Sequence, residues 1–98
     1  MNISPSKFIH LKSGKSYPVE KWPMHKQVHA VAGLGNPGRF FDLLARLGFD
    51  IIRHPFADHH NFSTSDLHYL DHLPIIMTEK DASKCKSFNN NRIWYLTI

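Results

Sequence analysis

Cysteine is nearly absent: the chain holds Cys85 and no other. A disulfide framework within it is therefore excluded, and a reducing compartment is the natural reading. Long apolar runs are also missing. None approaches the roughly 18 residues that a membrane-spanning helix needs. The stretch from Met1 to Phe8 lacks the apolar core of a signal peptide. No segment repeats another. What is present is ordinary for a folded protein: 98 residues, 42% hydrophobic and 20% charged, which bounds a single small domain and argues against disorder. The net charge of +4, with eight histidines in addition, is compatible with a phosphate-bearing ligand, a nucleic acid or an anionic membrane surface. It selects none of them, because the basic residues are scattered.

Along the chain, Lys7 to Leu11 alternates polar and apolar residues. Ser13-Gly14 then supplies a turn, and Ser16 to Val19 continues. This reads as a short hairpin or an extended connector, and Pro18 argues against a central strand. Gln27 to Ala32 is apolar enough for a buried strand. Asn36-Pro37 opens a helix whose Phe40, Phe41, Leu44 and Leu47 recur at helical spacing, and Gly48 is a natural stop. Phe49 to Arg53 is a second strand. Ser63, with Asp66 three residues on, predicts a capped helix that carries Leu67 and Leu70 and ends before Pro74. Pro74 to Thr78, a short helix over Asp81 to Phe88 and a strand over Arg92 to Ile98 complete the pattern. Strands alternating with helices predict an α/β fold: a small, mainly parallel four-stranded sheet with flanking helices.

Three stretches carry candidate chemistry, and each falls where a strand ends. Gly33-Leu34-Gly35-Asn36-Pro37-Gly38 fits a phosphate-binding turn, although Pro37 removes one of the N–H donors that would hold the phosphate. A tight strand-to-helix turn that needs glycine is the favoured reading. His54-Pro-Phe-Ala-Asp58-His59-His60 sets four ionisable groups within seven residues. A carboxylate beside a histidine suits a general base, because it fixes the tautomer and stabilises the imidazolium. Metal binding is a second reading, and a solvated loop a third. Met77-Thr78-Glu79-Lys80-Asp81-Ala82-Ser83-Lys84-Cys85 reads as a helix cap, with Thr78 as the cap and Glu79 and Asp81 suited to the helix start. Lys80 could alternatively face a phosphate. Cys85 reads as buried filler.

Four separated motifs share one order and spacing: V-H-A-V-A-G-L-G-N-P-x-R-F-F, L-G-F, H-P-F-x-D-H-H-x-F and I-M-T-E-K-D-A-x-K-C. W-Y-L follows near the end. Together they resemble the C-terminal part of the tetraacyldisaccharide 4′-kinases, the lipid A 4′-kinases of Gram-negative bacteria. The resemblance implies an enzyme peripheral to the cytoplasmic face of the inner membrane. Such an enzyme transfers the γ-phosphate of ATP to the 4′-hydroxyl of tetraacyldisaccharide 1-phosphate with Mg²⁺. It further implies that His59, with Asp58 beside it, assists deprotonation of that hydroxyl. No nucleic-acid partner and no metal site within this chain are implied.

One departure is large. No G-x-x-x-x-G-K-[ST] occurs, so the phosphate cradle is expected in a missing N-terminal P-loop domain. Residues 1–26 are then a linker or hairpin leading from that domain, and residues 27–98 the α/β C-terminal domain. The chain alone is expected to be inactive and to bind neither ATP nor Mg²⁺ tightly; the fragment alone would be cytoplasmic. The alternative is a stand-alone, non-catalytic module that binds a phosphate-bearing ligand or RNA.

Overall fold

The computed structural model describes residues 7–22, 26–33, 38–56, 61–67, 73–88 and 90–97. Six strands form one sheet: β1 (Lys7–His10), β2 (Ser16–Pro18), β3 (Gln27–Ala32), β4 (Asp50–Pro55), β5 (Ile75–Thr78) and β6 (Ile93–Leu96). Their spatial order is β2-β1-β6-β5-β3-β4. The four strands expected from the sequence, β6-β5-β3-β4, are mutually parallel. The N-terminal hairpin adds two antiparallel strands to one edge.

The central strands are covered on both sides, which is why β5 reads as an unbroken apolar run. Ile75, Ile76 and Met77 are all fully buried. Alternation divides each strand between the faces. Val28, Ala30, Ile76, Trp94 and Leu96 lie on the first face. Val31, Ile75, Met77 and Ile93 lie on the second. β4 forms an edge, and none of its residues is fully buried.

Helix α1 (Gly38–Arg46) buries Phe40, Phe41 and Leu44 against the first face. Its end follows the expected stop at Gly48, which sits at φ +95°. The Phe49 N–H bonds the Leu44 carbonyl at 3.2 Å, and the Gly48 N–H bonds that of Ala45 at 3.1 Å. This is a Schellman ending, and Phe49 joins Leu44 in the same core, as such endings favour.

Three expectations need correction. The N-terminal segment is more than a connector. Phe8 is fully buried, and its ring meets Trp22 edge-on at 4.7 Å and Phe49 at 5.5 Å. A four-residue strand contributes so few inward side chains that periodicity alone cannot expose its role. Pro18 does lie on the edge strand, where its missing N–H costs no ladder bond. The helix expected from Ser63 is, within the described residues, a single 3₁₀ turn over Thr64–Leu67. Residues 68–72 lie outside them. The box-like cap is half present: the Asp66 carboxylate accepts from the Ser63 N–H at 2.9 Å. The last helix begins earlier than expected, as α2 (Glu79–Ala82), and continues as a 3₁₀ turn over Ser83–Cys85.

Candidate active-site edge of the sheet

In open α/β sheets, ligand sites lie outside the carboxyl ends of the strands. Here the ends of β3, β4 and β5 are joined through one peptide group, that between Ala32 and Gly33. Its carbonyl accepts from the Phe56 N–H at 2.9 Å, one residue past β4. Its N–H, on Gly33, donates to Asp81 Oδ2 at 2.9 Å, in α2 just past β5. The three candidate stretches of the sequence therefore meet at this peptide.

Asp81 is held from its own side as well. Thr78 caps α2 as expected, accepting from the Asp81 N–H at 3.2 Å. The Thr78 hydroxyl donates back to Asp81 Oδ2 at 2.7 Å. Both donors fall on one carboxylate oxygen. The other, Oδ1, is buried and finds no donor among the described residues. An unmet buried acceptor costs about 1–3 kcal/mol, and more when charged. Groups kept against that cost concentrate at functional or strained sites.

A second, half-buried polar contact lies on the second face. His29 Nδ1 and His54 Nε2 are 2.8 Å apart, with ring centroids at 5.0 Å. One ring must donate and the other accept, so the pair shares a single proton between the facing nitrogens. His29 is only 4% exposed. It sits diagonally across from His54, because Val31 is the direct partner of His54 in the ladder. The contact ties β3 to the stretch leading into Pro55.

Asp58 and His59, the residues expected to carry catalysis, and His60 beside them lie outside the described residues. Both flanks of their stretch are described. Phe56 and Phe62 meet edge-to-face at 5.1 Å and pack on the second core. The chain thus leaves the sheet at Phe56 and returns to it at Phe62 within a small distance. Asn36 and Pro37, expected to open α1, also lie outside the described residues. Glu79 and Lys80 are exposed at the α2 start.

Cys85 is buried, as expected. Burial pushes its thiol up from the usual 9.0 to about 11; the Asp81 carboxylate adds to this and the Lys84 ammonium opposes it. A thiol held protonated in this way is a poor nucleophile. No group of three or more histidine, cysteine or acidic side chains gathers for a metal among the described residues.

Sequence reasoning missed two features. Asp81 was weighed only as a charge suited to a helix start, because its partner Gly33 lies 48 positions away. His29 carried a signal, being the single polar residue within V-H-A-V-A, but its partner follows only from strand register.

The comparisons with known proteins bear on the family and the fold. A sequence model of the family described as tetraacyldisaccharide-1-P 4′-kinase matches residues 1–98. The tetraacyldisaccharide 4′-kinase of Pseudomonas putida strain GB-1 is 44% identical over 96 residues, and that of Pseudomonas fluorescens strain Pf0-1 is 45% identical over 96. Each alignment takes in 98% of this chain, which spans 29% of the relative's length. The fold matches LpxK from Aquifex aeolicus, crystallised in complex with ATP, with a TM-score of 0.71 at 22% identity. That match covers 96% of this chain and 29% of the other. With its full length matched by the family's sequence pattern, the chain belongs to the tetraacyldisaccharide-1-P 4′-kinase family.

Proposed function

We propose that this chain forms the C-terminal α/β part of a kinase that phosphorylates the 4′-hydroxyl of tetraacyldisaccharide 1-phosphate with ATP. In this reading residues 1–26 lead from a P-loop domain, and residues 27–98 serve the acceptor sugar. The observation that carries it is the convergence of the three motif stretches on the Ala32–Gly33 peptide. A peptide fixed from both sides gives the residues that leave it a defined geometry, which phosphoryl transfer needs more than it needs covalent chemistry.

The sequence has no P-loop, so this proposal assigns ATP and Mg²⁺ to the rest of the kinase, and no step at this edge runs through them. The chain's own contribution is the acceptor side. A sugar hydroxyl is a weak acid, and its oxygen becomes a competent nucleophile as its proton moves to a nearby base. His59 takes that proton in this proposal, and Asp58 supports the imidazolium. Contact with the cytoplasmic face of the inner membrane follows from the lipid substrate. None of the described helices is long and apolar enough to cross a membrane.

The test uses the P. putida relative with these 98 residues in place of its matching stretch. His59→Ala and His60→Ala are compared by steady-state kinetics. His59→Ala is expected to lower kcat about 10²–10⁴-fold, with the KM for ATP nearly unchanged. Equal and negligible losses in both variants would remove His59 from the mechanism. A loss confined to His60→Ala would move the role by one residue.

A further inference from the structure

A helix cap needs only the Thr78 hydroxyl and the Asp81 N–H, and both are in place without the Asp81 side chain. The carboxylate does something else. It reaches the next strand and takes the Gly33 N–H in a buried bond of 2.9 Å. On the far side of the same peptide, the Ala32 carbonyl takes the Phe56 N–H at 2.9 Å. A carboxylate acceptor makes the first bond shorter and stronger than a neutral group would. Hydrogen bonds in series polarise each other, so strengthening one end of the peptide strengthens the other. The Asp81 side chain is fully buried, yet one of its oxygens is left without a donor among the described residues. Stability alone gives no reason to keep such a group.

We propose that Asp81 is a positioning residue for phosphoryl transfer. It fixes the Ala32–Gly33 peptide, and through the Ala32 carbonyl it fixes Phe56, where the chain leaves the sheet toward Asp58 and His59. The effect on turnover rests on the kinase reading above; the effect on the peptide does not.

The experiment uses the same full-length chimera with Asp81→Asn and Thr78→Val. Asparagine keeps the shape and removes the charge. Valine at 78 removes the cap and one of the two donors to Asp81 Oδ2, and keeps the charge and the Gly33 N–H bond. Each variant is measured for kcat, for the KM of ATP, for thermal stability, and for amide exchange of the segments containing Gly33 and Phe56. Asp81→Asn is expected to lower kcat about ten- to a hundredfold at an unchanged KM for ATP. Exchange should quicken at Gly33 and Phe56 together. Thr78→Val is expected to lower the melting temperature and to lower kcat less than Asp81→Asn does.

Wild-type kcat in folded Asp81→Asn overturns the proposal, as does an equal kcat loss in Thr78→Val. If Asp81→Asn does not fold, Asp81→Glu replaces it. That variant keeps the charge and displaces the oxygens by one methylene, and an undiminished kcat there overturns the proposal equally. If the parent chimera has no 4′-kinase activity, the kinase reading fails on its own. Exchange then decides: joint quickening at Gly33 and Phe56 upholds the peptide coupling, and quickening confined to Gly33 overturns it.

Discussion

The two faces of the sheet are made from the same strands but bury different things. The first face is closed by rings: Phe8, Trp22, Phe49 and Trp94 meet one another edge-on, and α1 lays Phe40, Phe41 and Leu44 beside them. Its one orphaned polar atom among the described residues is Trp94 Nε1. The second face has smaller fully buried cover, with Leu67, Ala82 and Cys85 over Val31, Ile75 and Met77, and its rings, Phe56 and Phe62 among them, are only partly buried. The buried histidine faces this side, and the buried aspartate lies in α2, whose Ala82 covers it. Aromatic stacking on one side contributes stability without chemistry. The polar groups on the other side cost stability and make a defined edge. A sheet this small separates the two tasks by face because alternation along each strand allows it.

Phe8→Ala tests the separation with the largest stability effect. Removing a buried Phe costs roughly 3–5 kcal/mol, as lost transfer energy plus an unfilled cavity. Chemical unfolding of the chimera should show a loss of that order. Turnover per folded molecule should stay close to that of the parent. A small loss would mean that the hairpin packs only loosely and that the connector reading was nearer the truth.

A smaller effect concerns Cys85 on the second face. Its thiol ionises near 9.0 in an unfolded chain and near 11 when folded. The folded state therefore holds its proton more tightly. The stabilisation is fully present below pH 9 and is lost as pH rises toward 11, by roughly 3 kcal/mol at most. Urea unfolding of the parent and Cys85→Ala at pH 8 and at pH 10.5 should show the gap between them narrowing at the higher pH. A gap that is constant across that range would place the thiol in contact with water and mean a loosely packed second face.

The sequence made the parallel core legible because each of its elements advertises itself locally. β5 is an uninterrupted apolar run, α1 repeats large apolar residues at helical spacing, and Gly48 ends it. The edge chemistry was legible only in part. G-L-G-N-P-G, H-P-F-A-D-H-H and M-T-E-K-D-A each stood out as a stretch. Their meeting at one peptide depends on which strands are neighbours, and β3 lies between β5 and β4 although β4 intervenes in sequence. The His29–His54 contact depends on register in the same way. A slip of one residue would turn His29 to the opposite face. The hairpin was one of two readings, but its share in the core was missed for a different reason: one inward Phe in a four-residue strand gives no period to read.

Gly48→Ala carries the smallest expected effect, and it separates backbone strain from packing on the first face. Gly48 holds φ at +95°, in a region that a residue with a Cβ rarely adopts. Space is not the obstacle, since an added Cβ would meet nothing within 4 Å. Any loss must come from the backbone, which costs roughly 1–2 kcal/mol for an L-residue with a side chain in the left-handed region. Part of that is offset, because alanine loses less chain entropy on folding than glycine does. The net expectation is about 1 kcal/mol of destabilisation, read as a lower midpoint in urea with an unchanged slope. Gly48→Asn should lose less, because asparagine enters the left-handed region more readily. If alanine and asparagine cost the same, strain at this φ is not what ends the helix. The bond from Phe49 to Leu44, with the packing of both side chains, would then be the feature that holds α1 to the first face.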